Sequence, residues 1–84
     1  MNIDFEPKAW GDFIYWAETN KKIVKRINAI LKELSRDPES RPAKAEILRG
    51  NLQGWMSCRI DKENRLVFKI ENNRILVAQC KGHY

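Results

Sequence analysis

The 84-residue sequence has few of the residues that most enzyme sites use. It contains one histidine, two cysteines and four glycines, and the glycines do not cluster into a phosphate-binding loop. With so few soft ligands a protein-bound zinc site is not expected, and we predict a function that uses neither a metal nor another cofactor. No apolar run is long enough to span a membrane, and the first residues lack the pattern of a signal peptide.

The two cysteines indicate the cellular compartment, and the net charge indicates the kind of partner. Cys58 and Cys80 lie inside apolar segments without the spacing of a redox or metal motif, so we predict small buried residues in a reducing cytoplasm. The net charge is +5, which favours nucleic acid or an acidic protein as partner. A chain of this length is expected to form one domain, residues 1–84, with a modest core.

The C-terminal third of the sequence has the pattern of three consecutive β-strands. Runs rich in β-branched and aromatic residues are separated by turn-forming residues, Asp61 to Asn64 and then Asn72-Asn73. The predicted strands are Trp55–Ile60, Arg65–Ile70 and Arg74–Cys80. Connections this short join antiparallel neighbours, so we predict a three-stranded antiparallel meander.

The alternation of side chains in these strands places Arg59 beside Arg65 on the face away from the core. This register follows from setting the apolar positions of both strands against the core, since a shift of one residue would turn every side chain over. Two arginines side by side repel each other. The pair therefore indicates either an anion-binding surface or an ordinary solvated face.

The chain end carries the single histidine, His83, beside the terminal Tyr84. A two-residue turn before the last strand would put Cys80, and by extension Tyr84, on the same side as Arg65, with His83 pointing the other way. Gly82 could bend the chain and alter this alternation. Terminal residues are most often frayed, so a functional end and a frayed end both remain open on position alone.

The first half of the chain has the pattern of a short strand followed by two helices. Asn2–Phe5 alternates as a strand does, and Pro7 suits the first turn of a helix. The predicted buried faces are Trp10, Phe13, Ile14 and Ala17 in the first helix, and Ile23, Ile27, Ile30, Leu31 and Leu34 in the second. Thr19-Asn20 separates the helices, and Asn20 can cap the second. Tyr15 and Trp16 fall outside the first apolar face, and they either pack against the second helix or form a partner-binding surface.

The second helix is basic on the side opposite its apolar face. The cations on this side include Lys22, Lys25, Arg26 and Lys32. This stripe either attracts RNA phosphate or forms an ordinary solvated helix face.

Residues 37–51 read as a loop that contains one isolated acid in a basic neighbourhood. Glu46 lies near Arg41, Lys44 and Arg49 in the sequence. It either pairs with one of these cations or acts as a carboxylate base among groups that bind phosphate.

The order of elements predicts an α+β fold. A short N-terminal strand and two helices precede a mostly antiparallel sheet that ends in the three-stranded meander. The apolar faces of the helices are expected to meet the Met56, Leu66 and Phe68 side of the sheet as the core.

The whole sequence resembles the YoeB/Txe toxins of the RelE superfamily, which are ribosome-dependent messenger-RNA endonucleases. The residues that carry the resemblance are Trp10 with Asp12–Trp16, Glu46–Arg49, Asn51–Gly54, Arg59-Ile60, Arg65–Phe68 and Cys80–Tyr84. The sequence departs from the family pattern at Met56, Cys58 and Asn64, where the family has tryptophan, arginine and histidine.

The resemblance implies roles for four residues in cleavage of RNA. Glu46 matches the base that takes the proton of a ribose 2′-hydroxyl, and Arg65 matches the arginine that stabilises the transition state. His83 matches the general acid for the leaving 5′-oxygen. Tyr84 matches the residue that orients the scissile nucleotide. The products would be a 2′,3′-cyclic phosphate and a 5′-hydroxyl.

The resemblance also implies contacts beyond these four residues. Residues expected to bind the RNA backbone are Arg49, Arg59, Lys44 and Lys81, and the basic stripe of the second helix is expected to bind ribosomal RNA. The implied partners are the ribosome at its decoding site, messenger RNA and a YefM/Phd-like antitoxin, with a homodimer as an open alternative. A non-catalytic RNA-binding or ribosome-binding module and an antitoxin-titrating homologue are the competing interpretations.

Overall fold

Two helices pack on one face of a five-stranded sheet in the described residues, which are 1–40 and 45–82 of the computed structural model. The elements are β1 (Asn2–Phe5), α1 (Pro7–Thr19), α2 (Lys21–Arg36), β2 (Glu46–Ile47), β3 (Met56–Arg59), β4 (Arg65–Glu71) and β5 (Arg74–Gln79). The strand order is β1-β5-β4-β3-β2, with β1 parallel to β5 and the other pairs antiparallel. The predicted α+β fold is confirmed. Neither described helix is long and apolar enough to cross a membrane.

Helix α2 forms as its sequence predicts. The side chain of Asn20 caps the helix by accepting hydrogen bonds from the backbone N–H groups of Lys22 (3.1 Å) and Ile23 (3.4 Å). The helix ends at Arg36, just before Pro38. Its buried residues are those predicted: Ile23, Ile27, Ile30, Leu31 and Leu34.

The predicted buried face of α1 is wrong. The helix buries Ala9, Asp12 and Trp16, whereas Trp10 is 52% exposed and Ile14 is 39% exposed. The buried residues also follow helical spacing, but the polar Asp12 hides this face from a search for apolar residues. Asp12 can be buried because its carboxylate accepts hydrogen bonds from other groups.

The contacts of Trp16 explain why α1 turns this face inward. Its indole Nε1–H donates a 2.8 Å hydrogen bond to the backbone carbonyl of Cys80, at the end of β5. The carboxylate of Asp12 accepts the Cys80 N–H at 3.1 Å and pairs with Lys8 at 2.7 Å. Two side chains of α1 therefore hold the backbone of the residue that follows β5.

The meander has the predicted connections and register between β3 and β4. Arg59 pairs with Arg65, and Leu66 and Phe68 are fully buried in the core. Asn72 and Asn73 form the tight turn before β5 with φ values of 51° and 59°, the left-handed region that asparagine tolerates in such hairpins.

Both cysteines are fully buried, as predicted. Burial raises the pKa of the Cys58 thiol to about 11. Burial, together with the negative charge of Asp12, raises the pKa of the Cys80 thiol to about 12. The thiols are therefore neutral and unreactive in the folded protein at neutral pH.

The loop predicted for residues 37–51 contains structure that the sequence did not indicate. Glu46–Ile47 forms the edge strand β2, and Gly50–Leu52 forms a single 3₁₀ turn. A two-residue strand is too short to show any alternation, so no periodicity search could find it. The predictions for Arg41 and Lys44 fall on residues 41–44, outside the described residues.

Candidate functional site

The candidate site lies on the face of the sheet opposite the helices. The predicted neighbours Arg59 and Arg65 pair directly across β3 and β4. Arg59 is exposed, whereas the side chain of Arg65 is only 13% exposed. The two arginine side chains therefore differ in solvent exposure, although they are neighbours on the sheet.

Strand β2 brings the isolated acid to Arg65. Glu46 pairs with Ser57 of β3, and Ser57 precedes Arg59 by two residues on the same face. The Glu46 carboxylate lies 3.6 Å from Nη2 of Arg65 and its side chain is 60% exposed. Among the described residues Glu46 therefore pairs with a cation that the sequence neighbourhood did not indicate, Arg65.

Ser57 fixes the orientation of the Arg65 guanidinium. Nε of Arg65 donates to the hydroxyl oxygen of Ser57, and Nη2 approaches the Ser57 carbonyl at 3.5 Å. Ser57 is completely buried, so its hydroxyl is a rigid acceptor in the floor of the site. With Nε held there, Nη2 is directed toward Glu46.

The last strand reaches this site through a β-bulge. Val67 pairs with Gln79 but Phe68 pairs with Val77, so Ala78 is an extra residue in β5. The bulge reverses the facing of every later position. The prediction that Cys80 lies on the side of Arg65 is therefore wrong, because Cys80 is buried in the core and Gln79 takes the outer face.

Beyond the bulge, Gly82 lies directly beside Arg65. Its carbonyl accepts the backbone N–H of Arg65 at 3.0 Å and Nε2 of Gln79 at 3.1 Å. Its own N–H donates to Oδ1 of Asn64 at 2.8 Å. The φ of Gly82 is 85°, a conformation that a residue with a side chain adopts only with strain. His83 and Tyr84, predicted as catalytic, lie outside the described residues.

Three of the four predicted RNA-binding residues, Arg49, Arg59 and Lys81, lie among the described residues. Arg49 and Arg59 are exposed, and Arg49 immediately precedes the 3₁₀ turn. The ammonium group of Lys81 lies 4.8 Å from the ring centroid of Tyr15, so Lys81 is directed toward α1. Lys44 is outside the described residues.

The predicted ribosome-binding residues lie on the other side of the molecule. Lys22, Lys25, Arg26 and Lys32 are all exposed on α2. These residues belong to the helix layer, whereas the Glu46–Arg65 pair lies on the opposite face of the sheet.

Three residues around the site were not assigned a role from the sequence. The register had already placed Ser57 on the face of Arg59, so a signal for Ser57 existed. Asn64 directly precedes Arg65, but nothing in the sequence indicates its contact with Gly82. Gln79 reaches the outer face only because of the bulge, which left no sequence signal. Among residues 1–40 and 45–82, no three His, Cys, Asp or Glu side chains are grouped to hold a metal ion.

Comparison with known proteins decides the family. Residues 5–84 match the family described as the YoeB-like toxin of bacterial type II toxin-antitoxin systems. The chain belongs to this family. Toxin YoeB of Escherichia coli K12 is 40% identical over 84 residues, covering all of both chains. Toxin YoeB of Streptomyces coelicolor is 39% identical, again over all of both chains.

The fold agrees with solved structures of YoeB toxins. The YoeB–YefM complex from Staphylococcus aureus contains a chain 44% identical to this one, with a TM-score of 0.92 over 100% of this chain and 98% of that chain. YoeB from the same organism has also been solved as a dimer. A YafQ mutant from E. coli, only 13% identical, shares the fold with a TM-score of 0.82 over 98% of this chain and 92% of that chain.

Proposed function

We propose that this toxin is a ribosome-dependent endoribonuclease that cleaves translated messenger RNA by attack of a ribose 2′-hydroxyl. The observation that carries the proposal is the Glu46–Arg65 pair, with a carboxylate and a guanidinium 3.6 Å apart on an open sheet face. A domain that only binds RNA needs cations but has no use for an acid beside a largely buried arginine.

In the proposed reaction, Glu46 takes the proton of the 2′-hydroxyl as its oxygen attacks the adjacent phosphorus. Arg65 stabilises the negative charge that develops on the phosphoryl oxygens. His83 gives a proton to the 5′-oxygen as the phosphorus–oxygen bond breaks. The products are a 2′,3′-cyclic phosphate and a 5′-hydroxyl, and Tyr84 orients the scissile nucleotide.

Two contacts support the roles of Arg65 and the chain end. The Ser57 hydroxyl holds Arg65 before substrate arrives, so little reorganisation is needed when charge develops. The backbone bond from Arg65 to Gly82 holds the residue before His83 next to the guanidinium-bearing residue.

The openness of the site supports the proposed dependence on the ribosome. Carboxylates are weak bases toward a ribose hydroxyl, and Glu46 is 60% exposed, so the protein alone holds an RNA strand poorly. Binding that aligns the 2′-oxygen, phosphorus and leaving oxygen can supply roughly 7–11 kcal/mol of the barrier. The stripe of Lys22, Lys25, Arg26 and Lys32 would contact ribosomal RNA while the opposite face meets the messenger.

The proposed partner in the cell is a YefM/Phd-like antitoxin. The S. aureus relative was solved with YefM, and the net charge of +5 suits an acidic partner segment. We propose that the antitoxin covers Arg59, Arg65 and the chain end. A homodimer, as solved for the same relative, is the proposed form in its absence.

The test measures first-order cleavage of one messenger, free and bound in the decoding site, at matched salt. Wild-type protein is expected to cleave the ribosome-bound messenger much faster. Arg65→Ala should abolish cleavage, and His83→Ala should reduce it by roughly a hundredfold or more.

Arg74→Ala is the matched control. It makes the same change of charge at the other end of β4 and β5, beside Asp4 and Glu71, and should retain cleavage. Equal rates on free and bound messenger would make the protein a general ribonuclease. Ribosome binding without any cleavage would instead favour the non-catalytic interpretation.

A further inference from the structure

The turn between β3 and β4 holds Asn64 in one orientation. Oδ1 of Asp61 accepts the backbone N–H groups of Glu63 (2.9 Å) and Asn64 (2.8 Å). The side-chain amide of Asn64 then donates to both carboxylate oxygens of Asp61, at 3.0 and 3.2 Å. Because Nδ2 is committed to Asp61, Oδ1 must point the other way.

The amide oxygen of Asn64 points at the chain end. It accepts the N–H of Gly82 at 2.8 Å, across 18 residues of sequence. The Gly82 carbonyl is held separately by Arg65 and Gln79. Both backbone groups of Gly82 are thus bonded to the sheet, although this residue lies beyond the last strand.

The hydrogen bonds that join Asp61, Asn64 and Gly82 lie outside the hydrophobic core. Asp61 is exposed, and Asn64 and Gly82 are half-buried, so breaking these bonds opens no cavity. These bonds link the turn that leads into Arg65 with the residue that leads into His83. The hydrogen bond between Asn64 and Gly82 therefore joins the sequence neighbours of two proposed catalytic residues, because Arg65 follows Asn64 and His83 follows Gly82.

We propose that Asn64 is a positioning residue for the chain end: by fixing Gly82, it sets where His83 and Tyr84 leave the sheet relative to Arg65. The inference rests on the proposed function, since it concerns the alignment of the general acid with the leaving oxygen. Asn64 itself touches no reacting atom. It acts through Gly82, whose backbone has more freedom about φ than that of any residue with a side chain.

The test compares Asn64→Ala with Glu63→Gln, a change in the same turn at an exposed side chain. Ribosome-bound messenger is cleaved under conditions that separate kcat from KM. A misplacement of about 1 Å can cost roughly a hundredfold, so Asn64→Ala is expected to lower kcat by about ten- to a hundredfold with KM unchanged. Glu63→Gln should cleave at the wild-type rate.

A double-mutant cycle with His83→Ala separates positioning from a general loss of structure. If Asn64 acts through His83, Asn64→Ala should add little further loss in the His83→Ala background. Independent effects would multiply instead, and that result would overturn the inference.

Hydrogen exchange at the Gly82 amide gives a readout that does not depend on RNA. Exchange is expected to be slow in the wild type and in Glu63→Gln, and fast in Asn64→Ala, while amides of α2 keep their protection. Unchanged exchange at Gly82 would overturn the inference, as would wild-type kcat in a variant with fast Gly82 exchange. Failure of the wild type itself to cleave would overturn the proposed function, with the exchange result still reporting on the hydrogen bond.

Discussion

Replacing Ser57 with alanine removes the group that orients Arg65 without touching any proposed catalytic residue. The Ser57 hydroxyl is completely buried and accepts from Nε of the guanidinium. Alanine differs from serine by this one oxygen, so the packing of β3 between β2 and β4 should be retained. The change therefore tests whether catalysis needs Arg65 to be held in advance.

The expected loss follows from the contacts that remain. A hydrogen bond to a charged group contributes about 1.5–3 kcal/mol, which corresponds to roughly a ten- to 150-fold change in rate if it is lost only in the transition state. After the substitution, Nη2 of Arg65 still approaches the Ser57 backbone carbonyl and the Glu46 carboxylate. We therefore expect the lower end of this range for Ser57→Ala, and a larger loss for Arg65→Ala.

The assay is single-turnover cleavage of ribosome-bound messenger, with urea unfolding of each variant. Ser35→Ala is the matched control, because it removes the same oxygen from α2 on the other face of the sheet. It should retain the wild-type rate. Wild-type cleavage by Ser57→Ala, together with inactive Arg65→Ala, would refute the reasoning, since Arg65 would then function without its acceptor.

Three further outcomes are expected. Asp12→Ala should lower the free energy of unfolding by about 1–3 kcal/mol, because the Cys80 N–H loses its buried acceptor. Glu18→Ala, a change at an exposed residue of the same helix, should leave the free energy of unfolding unchanged. Equal unfolding curves for the two variants would contradict this prediction. Folding raises the pKa of both thiols from 9.0, so the contribution of the neutral thiols to stability should be intact below pH 9.0 and lost as the pH rises towards about 11 for Cys58 and about 12 for Cys80. A Cys58→Ala/Cys80→Ala variant should therefore lose less stability to urea at alkaline pH than the wild type. An identical alkaline loss in both proteins would contradict the assignment. Deleting Tyr84 should leave circular dichroism and unfolding unchanged but reduce cleavage; unchanged cleavage would indicate a frayed end.

The sequence predicts those parts of the fold in which apolar spacing and local chemistry agree. In α2 the apolar face, the Asn20 cap and the stop before Pro38 all indicate the same helix, and the structure has it. The hairpin between β4 and β5 is equally determined, because Asn72-Asn73 suits a turn with two positive φ values.

Prediction fails where a polar residue is buried or an element is very short. Asp12 is buried because it bonds to the backbone of Cys80, 68 residues away, and spacing within α1 cannot reveal that partner. Glu46–Ile47 becomes a strand only by pairing with β3. In both cases the decisive contact is distant in sequence, so local patterns carry no information about it.

In the candidate site, too, local patterns predict some contacts and miss those made by residues distant in sequence. The register of β3 and β4 predicts the Arg59–Arg65 pair from alternation alone. The approach of Glu46 to Arg65 needs β2, and the path of the chain end needs the extra residue Ala78, so neither distance could be derived from the sequence. The family resemblance named Glu46 and Arg65 together, but it gave no reason for their proximity.

The bulge makes the chain end depend on α1 as well as on the sheet. By turning Cys80 inward it lets Trp16 bind the Cys80 carbonyl from the helix side. Two residues later Gly82, which lines one pocket with Trp16 and Asn64, is bound by Asn64 and Arg65. The hydrogen bonds of α1 therefore fix the starting point of the segment that Asn64 then directs. A change at Trp16 that keeps the ring but removes its donor would move the chain end without touching Arg65, so α1 belongs to the support of the site.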